Sequence, residues 1–140
     1  MPQYVILFHQ TPPGAPRPTH WDFLLECDSS CRTWALADQP SAGTWIPAQV
    51  LPDHRLHYLT YEGPVLGGRG HVRRWDKGEY GWREDTADQL IVWLEGTRLC
   101  GQAVLKRGSR GEWQFRFTAA RREKGMGGAS RVGSNREPPA

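Results

Sequence analysis

Two imidazoles and a carboxylate near the N-terminus carry the chemistry this sequence offers most directly. They lie in the stretch Phe8-His9-Gln10-Thr11-Pro12-Pro13-Gly14-Ala15-Pro16-Arg17-Pro18-Thr19-His20-Trp21-Asp22. A short apolar run from Tyr4 to Phe8 leads into His9, a Pro/Gly loop follows, and His20-Trp21-Asp22 opens a second apolar run. Residues two apart in a strand point to one face, so His20 and Asp22 project together, with Trp21, Phe23 and Leu25 opposite. His9 ends the preceding strand, and the loop can return the chain beside it. Two imidazoles with one carboxylate suit Mn²⁺, Fe²⁺, Zn²⁺ or a similar divalent ion. The plainer alternative is two surface histidines and an edge aspartate, and spacing alone does not separate the two.

The elements that would position these groups read as strands. Apolar alternation and β-branched or aromatic composition mark strands at 3–8, 20–26, 33–37, 56–61, 70–75, 79–83, 89–94, 98–106 and 113–117. Between them lie a proline-rich loop at 11–18, a turn at 27–32 and a loop at 38–47 in which Trp45 folds back as an anchor. Residues 51–54 read as one turn ahead of a strand, and 62–69 are too glycine-rich for a helix. Asp76-Lys77-Gly78, Glu95-Gly96-Thr97 and residues 108–111 read as tight turns. No segment holds a 3.6-residue apolar period over ten residues. The expectation is an all-β protein, a compact closed or nearly closed β-barrel of about eight strands, because closure removes vulnerable edges.

The chain has 140 residues, enough for one domain with a real core, and seven tryptophans to fill it. Its net charge is +3. From Ala119 onward five cations (Arg121, Arg122, Lys124, Arg131, Arg136) face two acids (Glu123, Glu137), so the whole excess belongs to 119–140 and residues 1–118 are neutral. The expected organisation is a β-barrel domain over 1–118 and a disordered basic tail over 119–140. This charge permits a nucleic-acid partner without demanding one. Cys27, Cys31 and Cys100 are odd in number and irregular in spacing, which argues against a disulfide scaffold and for reduced thiols. No basic segment followed by an apolar run and a cleavage site opens the chain, and no stretch is long enough to span a membrane. A cytoplasmic location without membrane attachment is expected.

Read together, these motifs resemble the 3′-phosphoesterase domain of bacterial DNA ligase D and its free-standing relatives. The resemblance rests on His9, the loop with Arg17, and His20-Trp21-Asp22-Phe23-Leu24-Leu25-Glu26. It continues through Thr33-Trp34-Ala35-Leu36-Ala37, Pro52-Asp53-His54-Arg55-Leu56-His57-Tyr58 and Tyr61-Glu62-Gly63. It ends with Trp75-Asp76-Lys77-Gly78-Glu79-Tyr80 and Leu94-Glu95-Gly96-Thr97-Arg98-Leu99-Cys100-Gly101. The order is preserved from Val5 to Phe117.

The resemblance implies a β-barrel with a concave active-site groove and a metal-dependent hydrolase that trims 3′-phosphate or 3′-ribonucleoside ends in end repair. It implies His9, His20 and Asp22 as ligands of a divalent ion, most often Mn²⁺, with Zn²⁺ or another transition metal as alternatives. It implies His54 and Tyr58 as catalytic groups against the scissile phosphate, with Arg17 as a further phosphate contact. Arg69, Arg73 and Arg74 either line the groove or form a solvated hairpin face. The implied partners are 3′ ends of DNA or of a DNA/RNA primer–template, and separate ligase or polymerase proteins of end joining. The alternatives are an end-binding module weak or lacking in catalysis, and a phosphoesterase for a small phosphorylated molecule.

Four departures from the pattern bear on activity. Relatives carry an arginine where this chain has Leu24, a lysine at Asp38, an arginine at Ile46 and a glutamine at Leu7. Each lost cation removes charge-assisted bonds to phosphate oxygens, so metal binding is expected to persist while phosphoester hydrolysis is weakened.

Overall fold

The computed structural model describes residues 1–120. Nine strands follow in chain order: β1 (Gln3–Gln10), β2 (His20–Cys27), β3 (Ser30–Leu36), β4 (Ile46–Arg55), β5 (Gly63–Pro64), β6 (His71–Asp85), β7 (Gln89–Gly96), β8 (Cys100–Arg107) and β9 (Trp113–Ala119). A single 3-10 turn, Leu56–Leu59, separates β4 from β5. The strands neighbour one another as β1-β2-β3-β4-β9-β8-β7-β6, and β6 pairs back onto β1 to complete a ring of eight. The two-residue β5 adds to β6 outside the ring. The protein is therefore all-β and nearly closed, as the short alternating runs imply. Its narrowest seam is β4–β9, held by three register pairs ending at Ala48–Trp113. Among the described residues no helix is long and apolar enough to cross a membrane.

Burial explains the two strands with near-continuous apolar sequence. One face of β1 and β2 (Tyr4, Ile6, Phe23, Leu25) joins Trp34, Tyr80, Leu94 and Phe115 inside the ring. The other face carries Val5, Leu7 and Leu24, which pack with Cys31 and Val72 on the outer wall. Tyr58, Leu59, Tyr61 and Val65 cover that second core. A strand buried on both faces loses its alternation, as in Phe23-Leu24-Leu25.

Three local expectations are corrected. Residues 51–54 are not a turn but the end of β4, and 56–61 is not a strand but the 3-10 turn and its exit. Pro52 is tolerated because this end of β4 pairs only with β3. The 3-10 turn then lays Tyr58 and Leu59 onto the outer core. Asp76-Lys77-Gly78 does not turn: β6 runs unbroken for 15 residues, pairing first with β1 and then with β7. The Asp76 carboxylate is captured by groups from β1 and from the β7–β8 turn, which outweighs local turn preference. The tryptophans divide: Trp34 is buried, Trp21, Trp75 and Trp113 pack partly against the interior, and Trp45 and Trp82 are exposed. The Arg116 guanidinium lies over the Trp45 ring. The basic tail falls outside the described residues, except that Ala119 ends β9 and the Ala120 N–H donates to the Cys100 carbonyl.

Candidate metal centre

Register brings the three groups together. On the antiparallel β1–β2 pair His9 stands directly opposite His20, and Leu7 opposite Asp22. The His9 and His20 ring centroids are 4.7 Å apart. Candidate ligand atoms of His9, His20 and Asp22 all lie within 4.8 Å of one another. The cluster sits on the outer wall beside Leu7 and Val72, not inside the ring. His20 is 5% exposed and Asp22 2%, so these are buried groups and not the surface histidine and edge aspartate of the plainer alternative.

Two backbone carbonyls aim the rings. His9 Nε2 donates to the Arg69 carbonyl at 2.8 Å, and His20 Nδ1 to the Pro18 carbonyl at 2.8 Å. A carbonyl only accepts, so the protons are fixed on those nitrogens. The remaining nitrogens, His9 Nδ1 and His20 Nε2, both turn to Asp22, at 3.1 Å from Oδ2 and 2.9 Å from Oδ1. Asp22 Oδ1 is buried, and its one close polar neighbour among the described residues is His20 Nε2. Arg69 reaches its place because Gly70 follows it. Gly70 has φ +96°, and a methyl group there would lie 2.0 Å from the Gln10 carbonyl oxygen. The base of the 11–19 loop is pinned by the Thr11 N–H donating to Thr19 Oγ1 at 3.1 Å.

Burial disfavours the charged Asp22 carboxylate, but contacts with His20 and His9 outweigh it and hold the group down to about 2. Burial also works against a charged His9, while Asp22 and the Arg69 carbonyl outweigh it and raise its proton affinity. A cluster of this kind binds a proton between its members or exchanges it for a divalent cation.

The triad opens into a pocket of about 890 Å³. Arg17, His54 and Tyr58 line it, as does Arg69, so the structure gathers the sequence-nominated residues around one space. Arg73 and Arg74 are not on its walls: Arg73 lies over the Phe8 ring, and Arg74 pairs with Glu62 at 3.5 Å. His54 Nδ1 donates to the Pro52 carbonyl at 3.0 Å, leaving Nε2 for another partner. The His54 and Tyr58 rings are 5.7 Å apart, an approach made by the strand-to-turn junction and not by a shared strand face. Arg55, to which the resemblance assigns no role, also lines the pocket. Its one signal in the sequence is its place between His54 and Tyr58. The carbonyls of Pro18 and Arg69 carry no sequence signal.

The departures from the family pattern are scattered. Leu7 lines the pocket, while Leu24 is fully buried in the outer core. Ile46 points into the ring, and Asp38 is exposed and outside the pocket lining. Positive charge is nonetheless present in the pocket through Arg17, Arg55 and Arg69.

Residues 13–107 match the model of the DNA ligase D 3′-phosphoesterase domain, about two thirds of the chain. The chain belongs to that family. His20, Asp22, His54 and Tyr58 fall inside the matched segment of the phosphoesterase domain, and His9 lies four residues before it. The chain is 34% identical over 106 residues to the multifunctional non-homologous end joining DNA repair protein LigD of Mycobacterium tuberculosis, covering 69% of this chain and 14% of that protein. It is 30% identical over 108 residues to the multifunctional non-homologous end joining protein LigD of Pseudomonas aeruginosa, covering 67% and 13%. This phosphoesterase-family chain thus spans about one seventh of the length of these relatives.

Proposed function

We propose that His9, His20 and Asp22 hold a divalent metal ion, Mn²⁺ by preference, and that the chain hydrolyses phosphoesters at 3′ ends of nucleic acid. The observation that carries this reading is the buried Asp22 carboxylate, set 3.1 and 2.9 Å from the inner nitrogens of two imidazoles whose outer nitrogens are pinned by backbone carbonyls. His9 Nδ1, His20 Nε2 and the Asp22 carboxylate would be the ligands, and the two carbonyls the outer shell that metal-bound histidines need. When bound, the ion polarises phosphoryl oxygens and offsets developing negative charge.

The chain's own residues do the rest. Arg17, whose Nε is buried without a partner among the described residues, supplies a charge-assisted bond to phosphate. Tyr58 offers its hydroxyl to a non-bridging oxygen. His54, with Nδ1 committed to Pro52, presents Nε2 to the phosphate or gives a proton to the leaving oxygen. The substrate is a 3′-phosphate or 3′-ribonucleoside end of DNA or of a DNA/RNA primer–template. The setting is end-joining repair alongside ligase or polymerase proteins. Incubation with a 3′-phosphorylated primer–template, with and without Mn²⁺, tests the reading on a gel. Metal-dependent loss of the phosphate is expected. Tight binding to recessed 3′ ends without turnover would make the chain an end-binding module. Turnover of a small phosphoester with no nucleic-acid preference would make it a small-molecule phosphoesterase.

A further inference from the structure

The arginines of this chain fall into two groups. Outside the pocket several are committed: Arg32 to Asp85 at 3.3 Å, Arg107 to Asp88 at 3.2 Å, and Arg74 to Glu62. Others lie over indole rings, Arg83 over Trp93 and Arg98 over Trp75. In the pocket Arg17, Arg55 and Arg69 have no carboxylate within ion-pair distance among the described residues. The nearest acid in sequence, Asp53, accepts from Ser30 Oγ at 3.0 Å. Arg55 is exposed, but its guanidinium is placed 5.8 Å from the Tyr58 ring centroid. It follows His54 in the chain, so it is anchored beside both groups assigned to the reacting phosphate.

One terminal phosphate is already served by Arg17, His54, Tyr58 and the metal cluster. A further unneutralised guanidinium beside Tyr58 suits a second anion one step along a polymer. We propose that Arg55 binds the internucleotide phosphate next to the reacting one, so that the pocket selects an oligonucleotide 3′ end over a 3′-phosphorylated mononucleoside. The proposal rests on the phosphoesterase reading above and adds a specificity-determining residue to that same site. Arg55 is a positioning residue here, not a participant in bond cleavage.

The test compares wild type, Arg55→Ala, Arg55→Lys and, as a control of equal charge change outside the pocket, Arg83→Ala. Two probes are used, a 3′-phosphorylated oligonucleotide and a 3′-phosphorylated mononucleoside. Affinity is read by anisotropy and competition without added metal, and turnover with Mn²⁺. Arg55→Ala should weaken oligonucleotide binding about tenfold or more, the scale of one charge-assisted bond. It should raise KM for the oligonucleotide with kcat little changed, and leave the mononucleoside within about twofold. Arg55→Lys should recover part of the loss, and Arg83→Ala should lose less than Arg55→Ala. Equal loss on both probes, loss on neither, equal loss in the Arg83→Ala control, or no oligonucleotide binding by wild type would overturn the proposal. If wild type binds the oligonucleotide but hydrolyses no 3′ end with any divalent metal, the phosphoesterase reading fails, while the binding comparison still decides the role of Arg55.

Discussion

Asp22 and Asp76 are equally buried, each 2% exposed, yet they sit in opposite chemical situations. Asp76 is saturated. Tyr4 Oη donates to its Oδ2 at 2.5 Å, the Leu99 N–H to the same oxygen at 3.2 Å, and the Arg98 N–H to Oδ1 at 2.7 Å. Burial first, and then the Asp76 bond, push the Tyr4 hydroxyl above its ordinary range, so it stays a donor. Space is closed too, since a methyl group at Gly96 would lie 1.8 Å from Tyr4 Oη. Asp22 faces one imidazole with each oxygen and opens onto a pocket. A carboxylate whose oxygens are filled by fixed neutral donors ties strands together. One flanked by exchangeable, protonatable donors is poised to trade a proton for a cation.

The largest effect that would sharpen this contrast is Asp76→Ala. Removing the acceptor leaves a buried hydroxyl and two backbone N–H groups unpaired, and should lower unfolding stability by about 3 kcal/mol or more in urea titrations. A loss below about 1 kcal/mol would break the comparison. Leu24→Arg should also destabilise, by about 2 kcal/mol, because it forces a charge into the filled outer core. A rise in 3′-phosphate release from that variant would show that the arginine reaches the pocket after all.

His9→Ala, His20→Ala and Asp22→Asn should each weaken Mn²⁺ binding by more than the roughly 10–100-fold that loss of an outer-shell partner costs. Calorimetric titration reads this. Their stability losses should stay below that of Asp76→Ala, though His20 and Asp22 are buried enough that some loss is expected. Undiminished affinity in all three removes the proposed centre.

Acidity offers a smaller effect in the metal-free chain. The lowered Asp22 value contributes stability above the ordinary carboxylate range, lost as pH falls toward about 2. The raised His9 value contributes stability that is complete below its ordinary 6.5 and lost as pH rises through the folded-state value. Their joint contribution should therefore be greatest between about pH 4 and 6.5 and flatten in Asp22→Asn. A thermal-melt series with chelator, showing the same pH profile in both proteins, would contradict this. The smallest effect concerns the excess positive charge of residues 121–140. Deleting residues 121–140 should lower nucleic-acid affinity modestly and reduce its salt slope, since fewer counterions are released. An unchanged slope would show that this segment takes no part.

Period-two alternation, turn chemistry and the absence of helical periodicity determined the all-β class and most strand positions from sequence alone. His20-Trp21-Asp22 likewise declared a shared face, because two-residue spacing on a strand fixes direction locally. The face's location did not follow. Alternation says which residues point together, not whether that side is interior or outer wall, and here the second core of Val5, Leu7 and Leu24 places it outside the ring. The Asp76-Lys77-Gly78 turn failed for a related reason: three partners distant in sequence outweighed local propensity. Proline and an irregular register hide the end of β4 from the sequence, and with it the strand-to-turn junction that brings His54 and Tyr58 to one pocket. The carbonyls of Pro18 and Arg69, which fix the two imidazole tautomers, belong to backbone that every residue carries. Only the closure of β6 onto β1, with Gly70 seated against Gln10, decides that these carbonyls stand where the histidines need them.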